Sequence, residues 1–276
     1  MDWWGKRVAK SGAAPLISLL TDFGLMDPYV AEMKAIILSI SPSARIVDIS
    51  HLVEKFNVRM GAFLLASAAP SFPPNTVHLA VVDPGVGSAR RPITVETERS
   101  LFVGPDNGLL IPAAQQEKIM RVYEVTNPKM MREKISATFH GRDIFASIAA
   151  DLASGSSPKE LGPEIKNYVI QSYTQPRLDG KTVLCEVAHV DGFGNIITNL
   201  RNEQISEFNI NSKKLVISVG KKRFSVRPVK TYSDLGENDF GLLVGSHGYL
   251  EIACREKSAA KRFGARNGMR VRVSGA

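Results

Sequence analysis

Only two cysteines, Cys185 and Cys254, occur in 276 residues, so a disulfide scaffold is excluded and a reducing compartment is favoured. No apolar run approaches the roughly 18 residues of a membrane-spanning helix. The opening stretch MDWWGKRVAKSGAAP has no apolar segment behind its positive charges and does not read as a signal peptide. Residues 1–13 are expected to be a disordered extension, and the protein is expected in the cytoplasm. There is no P-loop, no H-E-x-x-H and no C-x-x-C, so neither a phosphate cradle nor a zinc site is supported. No metal and no cofactor are expected. Nothing resembles an RNA-recognition strand motif, a zinc finger or a helix-turn-helix, so no nucleic-acid partner is expected.

What is present points to a folded, two-part chain. Hydrophobic residues make up 44% of it, too many for intrinsic disorder. The net charge of +8 is unevenly spread: residues 1–180 carry 19 basic and 18 acidic side chains, and residues 181–276 carry 16 and 9. The sharpest basic cluster is Lys213, Lys214, Lys221, Lys222, Arg223 and Arg227, which reads as a solvated surface of strands.

The first two thirds alternate short apolar runs with stretches of helical spacing. Leu16–Leu20, Arg45–Ser50, Val77–Asp83, 92–98 and 101–104 read as strands, and 28–40, 57–69 and Asp143–Ser154 as helices. That alternation predicts an α/β domain, layered α/β/α around a largely parallel sheet, over 14–175. Pro176, Asp179 and Gly180 mark a break. Beyond it seven short runs separated by Gly, Asn and Asp predict an all-β domain, a barrel or a sandwich, over 182–276.

In open α/β sheets ligands gather at the carboxyl ends of the strands. Asp22, Asp83 and Asp106 each follow an apolar strand. Each is also ordinary turn chemistry, but three in one sheet favour a site. Gly85-Val86-Gly87 leads to another strand, so it is no dinucleotide fingerprint. His140 precedes the helix that Asp143 is expected to cap. If Asp83, Arg90 and His140 meet, they form a cluster able to hold a water and polarise it toward hydroxide. In the β domain, Asp191-Gly192-Phe193-Gly194-Asn195 and Ser246–Ala253 contain either hairpin glycines or ligand contacts.

Taken together, Leu19–Gly24, Val82–Gly87, Gly104–Gly108, Phe139–Asp143, Asp191–Asn195 and Gly248–Ala253 resemble the S-adenosyl-L-methionine hydrolases that form adenosine, also called S-adenosylmethionine hydroxide adenosyltransferases. The resemblance runs in order from about residue 15 to 275. It implies a barrel as the second domain and attack of water or hydroxide on ribose C5′, releasing adenosine and methionine. It also implies a homotrimer, with the site shared between subunits. Asp83, Arg90 and His140 match the catalytic set. Asp22 matches the carboxylate on the ribose hydroxyls, and Phe56 an aromatic against the nucleoside. Asp191 and Ser246 match the residues that hold the methionine end, Asn195 one that reads adenine, and Tyr232 a second stacking ring. Relatives often carry Arg where this chain has His247. The related fluorinases and chlorinases carry Tyr where Asp83 stands, so hydrolysis is preferred to halogenation. A non-catalytic binder of S-adenosylmethionine or adenosine is the other alternative.

Overall fold

The computed structural model describes residues 14–171, 176–208 and 214–275. The expected extension over 1–13 lies outside them, as does Lys213 of the basic cluster. Two compact units are present, one up to Gln171 and the other from Ser172.

The first unit is built on a six-stranded sheet in the order β2-β1-β3-β5-β4-β6. Its strands are β1 (Leu16–Thr21), β2 (Arg45–Ser50), β3 (Val77–Val81), β4 (Pro92–Thr97), β5 (Leu101–Pro105) and β6 (Ile119–Glu124). β2, β1, β3 and β5 run parallel, whereas β4 is antiparallel to both of its neighbours. β3 and β5 are wholly buried, as strands covered on both faces must be, and β2 is a partly exposed edge.

Helix α1 (Tyr29–Ile40) turns Val30, Met33 and Ile37 inward, the three-and-four spacing legible in the sequence. Asn57 caps α2 (Val58–Ala68) by accepting the Met60 N–H at 3.0 Å. A short α3 (Ile111–Gln116) packs against α2, and α4 (Ala146–Ala153) against α1. α4 is buried nearly all round, and with α1, β1 and β3 it forms the main core of this unit. Asp143 does not cap it. The chain enters through a wider turn over Gly141–Phe145, and His140 occupies the cap position without a side-chain capping bond. Asp143 is fully buried and is used as an anchor: it accepts the Ser136 N–H at 2.8 Å and pairs with Arg142 and Arg132.

The second unit is a barrel. β7 (Arg177–Asp179), β8 (Thr182–Val190), β9 (Ile196–Arg201), β10 (Leu215–Val219), β11 (Lys222–Pro228), β12 (Phe240–Val244), β13 (Tyr249–Cys254) and β14 (Arg270–Gly275) form one sheet. The β14–β8 pairing closes seven of them into a ring, and β7 adds outside β8. Closure removes the exposed edges, so strict alternation suffices: β9 and β10 bury every second residue. Phe224, Phe240 and Phe263 meet at 4.4–5.0 Å in the barrel core. Two short helices that the sequence did not advertise, α5 (Asn202–Glu207) and α6 (Ala259–Phe263), interrupt the strand succession.

Candidate active site

β1, β3 and β5 are adjacent and parallel, so Asp22, Asp83 and Asp106 emerge at one edge of the sheet. They have different fates. Asp106 is taken up structurally: Arg91 donates to its Oδ2 through Nε at 3.1 Å and Nη2 at 2.6 Å, and Val169 N–H donates to its Oδ1 at 2.8 Å. It anchors the segment leading to Gln171 and is not an open strand-end acid.

Asp83 is engaged by Arg90. The guanidinium Nε lies 2.9 and 3.0 Å from the two carboxylate oxygens, and Nη2 also donates to Oδ2. The same Nη2 lies 2.9 Å from Nδ1 of His140. Arg90 and Arg91 are consecutive just before β4, and their side chains go to two different carboxylates. Gly87 makes the loop possible: its φ is +77°, and a Cβ there would lie 2.5 Å from the Ala137 carbonyl oxygen. The guanidinium carbon stands 5.1 Å from the centre of the buried Phe145 ring. Phe145 carries no signal in the sequence beyond its place in an apolar helix.

This chain of three groups has a defined electrostatic state. Arginine can only donate, so His140 Nδ1 must accept, and the neutral imidazole then carries its proton on Nε2. Burial, reinforced by the Arg90 charge, holds His140 below the ordinary histidine range, against the pull of Asp83 and Asp143. The ring is therefore neutral near pH 7. Arg90 Nη1 is buried and has no hydrogen-bond partner among the described residues. An unsatisfied buried guanidinium N–H is costly, and it marks where an oxygen acceptor belongs.

Asp22 is 5% exposed, and its Oδ2 accepts the Phe56 N–H at 2.8 Å. Its carbonyl accepts from the Lys55 ammonium at 2.5 Å, and Thr21 Oγ1 beside it meets His51 Nδ1 at 2.9 Å. Phe56 has a φ of +64° and stands 70% exposed. It lines an open cleft of about 490 Å³ with Lys55, Arg59 and Gln171. A large exposed aromatic in a strained backbone beside a buried carboxylate has the form of a ligand contact.

The remaining expected residues belong to the barrel unit. Asp191 Oδ1 accepts the N–H groups of Phe193 at 3.0 Å and Asn195 at 2.8 Å, and Oδ2 accepts the Asn195 amide at 2.9 Å. The turn reading of this loop is seen directly: Asp191 builds the turn that carries Asn195. Ser246 and His247 are exposed in the turn between β12 and β13. Tyr232 is half-exposed and donates its hydroxyl to Glu251 Oε1 at 2.7 Å. Glu251 is missed by the sequence reasoning, although one carboxylate inside the apolar strand Tyr249–Cys254 is a visible anomaly. Among the described residues no group of three or more His, Cys, Asp or Glu could share a metal ion.

An α/β sheet with an Asp–Arg–His set at its strand ends, joined in one chain to a closed β-barrel, defines a class of two-domain proteins. The S-adenosylmethionine hydroxide adenosyltransferase family models match this chain in both parts, the N-terminal domain over residues 17–162 and the C-terminal domain over 185–272. The chain belongs to that family. An (R)-S-adenosyl-L-methionine hydrolase of Salinispora tropica is 38% identical, over 94% of this chain and 98% of the relative. A fluorinase of Actinopolyspora mzabensis is 27% identical, over 97% and 99%. Among solved structures, an uncharacterized conserved protein from Thermotoga maritima superposes with a TM-score of 0.89 at 36% identity, covering 94% of this chain and 99% of that one.

Proposed function

We propose that this protein is an enzyme that hydrolyses S-adenosyl-L-methionine to adenosine and L-methionine. The observation that carries this reading is the Asp83–Arg90–His140 chain, with Arg90 Nη1 left as a buried donor. In the reaction an O–C5′ bond forms and the C5′–S bond breaks. Sulfur takes the electron pair and leaves as a neutral thioether, so the leaving group requires no acid. The remaining task is to hold an oxygen nucleophile in line and make it more anionic.

Asp83 accepts one O–H of the water and takes its proton. Arg90 stabilises the developing hydroxide through its free N–H and its charge. His140, with its proton on Nε2, serves as a donor and orienting group and is not the base. Asp22 holds the ribose hydroxyls, Phe56 and Tyr232 flank the nucleoside, Asn195 reads adenine, and Asp191 and Ser246 hold the methionine end. No metal or cofactor enters these steps.

Halogenation is the weaker reading. A halide beside the Asp83 carboxylate meets like-charge repulsion, and the fluorinase identity of 27% falls below the 38% of the hydrolase. The homotrimer and the cytoplasmic location implied by the family resemblance belong to the same proposal. The two cysteines are buried and unpaired, in keeping with a reducing compartment, and no helix among the described residues is long and apolar enough to cross a membrane.

Turnover in ¹⁸O-water with added chloride or fluoride tests the chemistry. Adenosine labelled at the 5′ oxygen is expected. Halogenated nucleoside, or tight adenosine binding without turnover, would overturn it. Rescue of activity on mixing Asp22→Ala and Asn195→Ala proteins is expected of the trimer with shared sites; its complete failure would count against that assembly.

A further inference from the structure

Tyr232 is unusual in being exposed and immobilised at once. It is 47% exposed, yet both ends of the residue are tied. The backbone end lies in a short helical turn closed by a capping box: Thr231 Oγ1 accepts the Ser233 N–H at 3.1 Å, and Asp234 Oδ2 accepts the Thr231 N–H at 3.0 Å. The phenol end is held by Glu251, which is itself 5% exposed.

Glu251 reaches that position because of where β13 puts it. Leu250, Ile252 and Cys254 point into the barrel core, so Glu251 faces the outer wall. There the segment after β11 covers it, with Val229 and Leu235 packed on Leu243 and Ala253. Its second oxygen, Oε2, points to the turn that follows β12. It lies over Gly245, where an added Cβ would come within 2.6 Å of it, so a side chain there would have to displace the carboxylate tip. Gly245 immediately precedes Ser246. A buried carboxylate in a strand of this kind costs free energy, and hydrophobic residues would fill the same wall more stably. Burial, and then the charge of Asp191, push its carboxyl above the usual carboxylate range, while the Tyr232 hydrogen bond and His247 oppose that shift.

We propose that Glu251 is a positioning residue. By clamping the Tyr232 hydroxyl it presents a pre-set aromatic platform for a flat ring, the adenine of the substrate proposed above. The rotamer entropy of the tyrosine is lost on folding and not on binding, so the clamp raises affinity without touching the reacting atoms. The inference rests on the adenosine-forming reading of the site.

The experiment measures adenosine binding by calorimetry together with kcat and KM for S-adenosylmethionine. The proteins are wild type, Glu251→Ala, Glu251→Gln, Tyr232→Phe and the Tyr232→Phe/Glu251→Ala double variant, each checked for folding by thermal melting. Glu251→Ala is expected to weaken adenosine binding and raise KM about tenfold, about 1.4 kcal/mol, with kcat within twofold. Glu251→Gln keeps an acceptor and should recover most of the affinity. The double variant should be no worse than the worse single variant, because both remove one contact. Wild-type turnover with additive single effects, with unchanged KM, or with loss confined to kcat would overturn the inference and leave the proposed reaction standing. A wild-type protein that neither binds adenosine nor turns over would overturn both. If Glu251→Ala does not fold, Tyr232→Phe carries the test, with the same rise in KM expected and its absence decisive against the clamp.

Discussion

Replacing Arg90 by methionine tests the electrostatics of the site most directly, because the side-chain volume is nearly kept while the charge and every donor are lost. Three contacts to Asp83 and one to His140 disappear together. The Asp83 side chain is only 4% exposed, so it is left as an uncompensated buried charge. Removing one partner of such a pair costs about 3–5 kcal/mol of stability. Asp83→Asn in the same protein removes the stranded charge and should restore about half or more of that loss. Activity should not return: losing a preorganised donor to a developing oxyanion costs about 10²–10³ in kcat.

Nitrogen-15 NMR of the imidazole supplies the independent measurement. In the wild-type protein His140 should be neutral at pH 7 with its proton on Nε2. Arg90→Met removes the second cause that holds its titration down, while Asp83 still favours the imidazolium, so the titration should move upward. A wild-type ring protonated on Nδ1, or a titration unmoved by the substitution, would refute the arrangement. So would a double variant no more stable than Arg90→Met.

Two further outcomes are expected. His78 is fully buried, with Nδ1 2.7 Å from Ser18 Oγ and its ring stacked on Phe102, and burial pushes its pKa from 6.5 down to about 3. The unfolded chain therefore binds a proton below pH 6.5 that the folded chain refuses until about pH 3. Stability should fall by about 2 kcal/mol between pH 6.5 and 5, and denaturant titrations of His78→Phe should show a flatter slope there. Gly87→Ala should cost about 1–3 kcal/mol, since φ is +77° and the new methyl meets a carbonyl oxygen. Because the same loop carries Arg90, kcat should fall about tenfold or more, and a fully active variant would show that the loop geometry does not set the site.

Much of the fold is legible in the amino-acid sequence. The helix over 29–40 and the buried strands at 16–21 and 77–81 follow from apolar spacing alone, because a 3.6 or continuous pattern can be buried in one way only. β6 and α3 are not legible in this way: Ile119–Glu124 alternates weakly at a sheet edge, and Ile111–Gln116 is too short to establish a period. Asp143 misleads for a related reason. An acid at the start of a helical run resembles a cap, and only the approach of Ser136, Arg132 and Arg142 shows that it is an anchor.

The candidate site divides in the same way. Residue types and their order determined the two-domain plan, the family and the names of Asp83, Arg90 and His140. Tertiary structure alone decided that Arg90 bridges the other two, that His140 faces it through Nδ1, that Asp106 is occupied elsewhere and that Glu251 holds Tyr232. Periodicity records which side of an element is buried, and that information is local. Whether a carboxylate meets a guanidinium fifteen residues away or seven depends on strand order and loop path, which arise only when the whole sheet assembles.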